Sequence, residues 1–281
     1  MSRPSVETRA RVLAAAAFLV LQVSSGSAAD LSEGTRPATQ DRVVSVTAFS
    51  LFGPKYLGAE RYGPFGYPAV TIRRPDEPFA LDSPDDSLGV PILDATQFKL
   101  GPVVNLRQGR NTSVDRRFAG LDRDPWAIEG GIFADLWVLP DQLRTRAELR
   151  HGLRGNDGFA IDLSADLFER FGAVTVSVGP RFGVLDAALA QRQFGVSPAA
   201  SSRNGLFQPY RAAGGLQSMG LTSAVSYDWS PSWRTTLYGR YEHLVGDAAA
   251  SPITRRLGSV DQLTAGLGVT YSFHANLPFI P

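Results

Sequence analysis

The chain carries three histidines and no cysteine, so any hydrolytic chemistry would draw its general base from His151, His243 or His274. His243 follows Glu242 and precedes Asp247 and Ser251, a serine, histidine and acid that can be drawn together on paper. Spacing alone does not pair them. All three histidines fall at strand ends or in the tail, where an exposed rim side chain is the ordinary reading, and no catalytic site or enzymatic activity is expected. Asp82, Asp85 and Asp86 share one tight loop and offer oxygen ligands of the kind a divalent cation takes. A solvated acidic turn is the better explanation, so neither metal nor cofactor is expected. Gly130-Gly131 and Gly214-Gly215 lie in strand pattern with no helix to follow, which excludes a phosphate loop.

One set of charges is patterned. Arg144, Arg146, Glu148 and Arg150 alternate with Leu143, Thr145, Ala147 and Leu149, and further on Asp162, Ser164 and Asp166 alternate with Ile161, Leu163 and Ala165. Strand side chains alternate between faces, so each charged set shares one face. Joined as a hairpin, the two stretches place Arg144 opposite or diagonal to Asp166, and Arg146 and Glu148 near Asp162. The preceding stretch brings Asp135 toward Arg144 and Arg146, and the following one brings Arg181 toward Asp162. The expected result is a mixed-sign ladder inside a narrow barrel, acting either as a structural plug or as a charge-selective constriction.

The elements that position this ladder are legible along most of the chain. Stretches of about ten residues alternate apolar and polar positions, the length and period of tilted membrane strands. They are clearest at 126–138, 143–150, 159–169, 174–182, 219–229, 233–242 and 263–273, and weaker at 43–51, 67–73, 78–81, 87–93 and 97–103. Their connections alternate between short turns near Pro140, Gly172 and Pro231 and long loops at 105–125, 186–215 and 244–260. Aromatic residues cluster at strand ends, as at Trp126, Trp229, Trp233 and Phe273. The expected fold is all-β, an antiparallel transmembrane β-barrel of about twelve strands with short periplasmic turns and long extracellular loops. Counting 78–81 as a strand is what keeps the turn-loop alternation in phase.

Composition agrees. The chain is 281 residues, 43% hydrophobic and 20% charged, with a formal net charge of +1, which gives no case for nucleic-acid binding. The N-terminus reads as a signal peptide over 1–29: Arg3, Arg9 and Arg11, an apolar run over 12–23, and small residues ending at Ala29. A short periplasmic segment over 30–41, the barrel over 42–273 and a tail over 274–281 follow. The expected destination is the cell outer membrane.

Several short motifs resemble the MipA/OmpV family, described as outer-membrane scaffolding proteins. They include Gly53, Pro54, Tyr56 and Gly58 in the first loop, Gly101-Pro102, Gly130-Gly131 and Gly179-Pro180-Arg181. Most specific are Gly246, Asp247, Ser251 and Pro252, followed by Gly266-Leu267-Gly268 and Tyr271-Ser272-Phe273. The resemblance implies a non-enzymatic barrel that contacts murein-synthesising and remodelling machinery, with a lytic transglycosylase and penicillin-binding proteins as partners beside outer-membrane lipid. Two alternatives stand next to it: a small channel or porin with a charged lumen, and an adhesion or recognition protein working through its outer loops. Mass spectrometry of the mature protein should place its N-terminus near Asp30; a mature chain that kept residues 12–23 would overturn the export argument.

Overall fold

The computed structural model describes residues 40–155 and 157–277. The expected signal peptide, residues 30–39 and residues 278–281 lie outside them, as does Asn156. Twelve strands form one antiparallel sheet: β1 (Gln40–Pro54), β2 (Tyr62–Arg73), β3 (Leu88–Gly89), β4 (Leu93–Asp94), β5 (Phe98–Arg107), β6 (Ala127–Leu139), β7 (Leu143–Arg154), β8 (Phe159–Phe171), β9 (Val174–Leu185), β10 (Gly215–Ser230), β11 (Trp233–Leu244) and β12 (Asp261–Leu277). Their order around the barrel is β2, β1, β12 and then down the chain from β11 to β5, with β3 and β4 both paired to β5. The alternation decides which face is which. Along β12, Leu263, Leu267, Val269 and Tyr271 point outward and exposed, whereas Gln262, Thr270 and Ser272 are buried in the lumen.

The first and last strands pair with each other along their length, from Gln40 opposite Leu277 to Phe52 opposite Ala265. Residues 274–277, expected in the tail, belong instead to the last strand. Because β1 begins at Gln40, it offers ladder partners to residues 274–277, and β12 continues through them.

The wall is interrupted at one place. Among the described residues no ladder joins β2 to β3 or β4. Pro64 and Pro68 of β2 sit opposite Phe52 and Ala48 of β1. A proline cannot take part in a hydrogen-bonded pair, so both belong to the set whose backbone groups face away from β1, toward the gap. The free edge of β2 therefore lacks two of its donors. Across the gap, the partner of β5 is split into two-residue pieces around Pro91.

The strand expected at 78–81 is absent, and the one expected at 87–93 is reduced to those two pieces. Residues 74–78 stay exposed at the periplasmic end of β2, and residues 79–87 instead run inside the barrel up to β3, which descends with β4 along β5. One ascent and one descent still separate β2 from β5, so the alternation of turns and loops is kept by a path that is only half in the wall.

The outer loops carry helices that the sequence pattern did not reveal: α1 (Ala187–Phe194), α2 (Pro198–Asn204), α3 (Gly246–Ala250) and α4 (Pro252–Leu257). Side-chain caps start three of them, from Asp186, Ser197 and Ser251. Leu237, midway along β11, is 60% exposed. At such a position an arginine is harmless in water but costs about 2–4 kcal/mol at mid-bilayer. Leu237→Arg is therefore expected to lower the unfolding free energy in lipid vesicles by about that amount; an unchanged value would contradict a lipid-facing exterior.

Candidate functional site

The lumen face of β7 holds Arg144, Arg146, Glu148 and Arg150, each no more than 8% exposed. Register brings Arg144 opposite Asp166, Glu148 opposite Asp162 and Arg146 opposite Asp135. Arg144 bonds Asp166 at 2.8 Å, Arg146 bonds Asp135 at 3.0 Å and Glu148 at 2.8 Å, and Arg150 pairs with both Glu148 and Asp162. Arg181 differs from expectation. It reaches Asp166 at 2.7 Å rather than Asp162, whose own register partner on β9 is Gly183. Nor does Arg146 turn to Asp162, because Asp135 faces it directly. Gly179 makes room for this arrangement: a Cβ there would lie 1.9 Å from the Ala165 carbonyl and 2.7 Å from the Asp166 carboxylate.

Residues 79–87 complete the network. Asp85 accepts from Arg181 at 2.9 Å, from Thr222 at 2.8 Å and from Ser83 at 2.7 Å, and lies 3.3 Å from Arg240. Asp86 lies 2.8 Å from Arg144 and accepts the Ser83 backbone N–H. The Ser87 hydroxyl donates to Glu148 at 2.6 Å. Lower down, Phe79 sits under the guanidinium groups of Arg73 and Arg234, and Leu81 packs against Trp137 and Phe168. The loop read as a solvated acidic turn is thus the centre of the lumen. Removing a charge from water is costly unless partners and hydrogen bonds surround it, and here Asp166 bridges two arginines while Asp85 contacts two more groups besides its two arginines. Asp166, Arg144, Glu129 and Thr222 are each about 1% exposed: the lumen is packed at this level. Glu129, Arg107 and Arg240, not singled out in the sequence, extend the network upward, Glu129 accepting from Arg107 and Asn105 and lying 3.4 Å from Arg150. Their alternating phase on β5, β6 and β11 was the available signal.

The family-like motifs meet above the strands. Tyr56 packs edge-on against Phe118 and donates to the Leu257 carbonyl. Gly58, at φ 89°, donates to Gln262 at 3.1 Å. Gly53 lies so close to Thr264 that a Cβ would come within 2.7 Å of its hydroxyl, and Pro54 closes β1 opposite Tyr62. Gly246 adopts φ 53°, after which Asp247 accepts from Tyr210 at 2.8 Å and from the Ala213 and Gly214 N–H groups. Ser251 donates to the Phe194 carbonyl at 2.7 Å and caps α4, with Pro252 at its first turn. One hydrophobic cluster draws Tyr56, Phe118, Val196, Phe207 and Ile253 from four different loops, so these loops converge over the barrel mouth. Burial pushes the Asp124 carboxyl in this cap up to about 6, against the pull of Arg110. Hydrogen bonds from Arg117 hold Asp115 at about 2.

The paper triad is not assembled. His243 pairs with Asp261 at 2.8 Å, Glu242 lies 3.0 Å from Arg240, and Ser251 and Asp247 hold the cap. The half-buried His151 faces Asp157 at 3.4 Å and the exposed His274 faces Asp41 at 3.2 Å. Among the described residues no group of three or more histidines and carboxylates is arranged to hold a metal.

Compared with known proteins, the chain matches a family over residues 46–273, described as MltA-interacting protein MipA. No curated protein sequence matches. Among solved structures, the chain is similar to an outer membrane channel from Pseudomonas putida F1, at 9% identity over 87% of this chain and all of that one, TM-score 0.42. It is also similar to Neisserial surface protein A, at 12% identity over 83% and 97% of the two chains, TM-score 0.29. With strands that expose apolar side chains outward and bury charge inward, and a match running from the middle of β1 to Phe273, the chain is an outer-membrane β-barrel that belongs to the MipA family.

Proposed function

We propose that this barrel is a non-enzymatic scaffold rather than a channel, and that it holds a murein-remodelling enzyme, a lytic transglycosylase, at its periplasmic rim. The observation that carries the reading is the filled lumen: the ladder and the aspartates of the inner segment neutralise one another across the bore, leaving the ion pairs themselves where a solute would pass. The name of the family supports the partner. So does the rim formed by the short turns and strand ends, where among the described residues Asp41, Asp76, Glu77, Asp94, Asp141 and Glu169 are exposed against a single exposed arginine, Arg74. Such a surface suits a partner with a basic face. Penicillin-binding proteins, which the family resemblance also implies as partners, join the assembly in this reading.

Three outcomes are expected. In planar bilayers the purified protein should give no steady conductance. Neutralising both wall carboxylates, Asp162→Asn with Asp166→Asn, removes one carboxylate partner from each of Arg144, Arg150 and Arg181. It should lower stability by about 3–5 kcal/mol, the range for breaking buried ion pairs, without opening a large conductance. Full stability with altered ion selectivity would instead make the ladder a filter and the protein a channel. Finally, a purified lytic transglycosylase should bind the barrel in a salt-sensitive way, and Asp76→Asn, Glu77→Gln and Asp141→Asn together should weaken binding several-fold; the absence of binding by the unaltered barrel would sink the scaffold reading.

A further inference from the structure

The opposite end of the barrel carries the reverse charge. Loops 55–61, 108–126, 152–158, 186–214 and 245–260 together expose eleven lysines and arginines and only three carboxylates. Arg61 and Arg117 pair with Asp115, and Arg203 pairs with Asp122, but the cap holds other cations without neutralising them. Arg192 donates to the carbonyl of Arg123 at 3.3 Å and Arg256 to that of Leu206 at 2.6 Å. A carbonyl positions a guanidinium but leaves its full charge and most of its five donors facing outward. Arg116, Arg211 and Arg255 are exposed and make no side-chain hydrogen bond or ion pair among the described residues. At the level of the outer aromatic belt, Arg154 lies 5.7 Å from the ring of the exposed Trp126. Lys55 follows directly on β1, whose Phe52 ring stacks on Tyr62 at 6.0 Å. Tryptophan and tyrosine mark the headgroup level of a membrane, so cations begin where lipid phosphates lie and continue up the cap.

We propose that this basic cap is a docking surface for the phosphorylated glycolipid of the outer leaflet, its arginines binding the glycolipid phosphates around the barrel mouth. The proposal is independent of the periplasmic partner. Guanidinium forks match phosphate oxygens bidentately, and a bilayer leaflet presents many phosphates at once to a spread-out set of cations, as a soluble ion does not.

The test uses the full-length mature barrel in detergent, titrated with bisphosphorylated lipid A, with the same lipid after enzymatic removal of its phosphates, and with inorganic phosphate. Binding of the phosphorylated lipid alone is expected, falling steeply between 50 and 500 mM NaCl, about the range over which screening shortens from beyond 10 Å toward 4 Å. The variant Arg116→Glu, Arg211→Glu and Arg255→Glu touches no internal hydrogen bond and is expected to bind at least ten-fold more weakly, with an unchanged unfolding temperature. The salt titration of the unaltered protein stands even if that variant misfolds. Equal binding of the dephosphorylated lipid, equal protection by inorganic phosphate, salt-independent binding, or a folded variant that binds as well as the original would each overturn the proposal. Capture of an anionic polysaccharide with no affinity for lipid A would also do so, assigning the cap to a different partner.

Discussion

An arginine taken out of water must find carboxylates, and the wall of this barrel turns several arginines inward within a few residues of one another. Asp166 is the hinge of that problem, because it is shared by Arg144 from one neighbouring strand and Arg181 from the other. Two guanidinium groups on one carboxylate leave a surplus of positive charge in a confined, weakly polarisable space. The inner segment resolves it: Asp86 turns to Arg144 and Asp85 to Arg181 and Arg240. The path of residues 79–87 is therefore dictated by charge rather than by a ladder, and a continuous strand in the wall could not deliver both Asp85 and Asp86 to the centre of the bore.

The broken wall follows from the same choice. A segment drawn inward to meet arginines leaves its place in the sheet half empty, and the residues that return to it, on either side of Pro91, pair with β5 for only a few positions. On the other side, Pro64 and Pro68 remove donors that would otherwise stand unpaired at the gap. In a membrane an unsatisfied backbone N–H is costly, so a strand that must border an opening is better made with fewer of them. The prolines that seem to weaken β2 as a strand suit it as an edge.

Sequence reading reached most of this architecture because a barrel wall is a local code. Alternation over 143–150 and 159–169 fixes which residues face inward, and a short loop between them fixes that Arg144 meets Asp166. What it did not reach was set by contacts distant in the chain. Asp85 and Asp86 look like a polar turn until Arg181, Arg240 and Arg144 are placed around them, and Arg181 was matched to the wrong aspartate because register on β9 passes Asp162 opposite a glycine. The helices in the outer loops are short, and their burial comes from clusters such as Leu189, Phe194 and Leu244, which join residues of different loops. Gly246, Asp247, Ser251 and Pro252 stood out as a family-like string; their work in the fold, a tight turn, one helix cap and hydrogen bonds that seat one loop on another, could not be read from the string itself.

The gap between β2 and β4 has a bearing on how the barrel is built. Its two borders are close along the chain, whereas the longest ladder, β1 with β12, joins residues more than two hundred positions apart, as Ser45 with Ser272. The molecule is thus a sheet whose ends meet in the middle, and its circular closure cannot be completed until the last strand has been made. Entropy disfavours that late, distant pairing and slows it. Once it forms, only the proline-bordered slit remains without a ladder, so a growing sheet can curl shut around the charged inner segment without having to thread that segment through a finished ring.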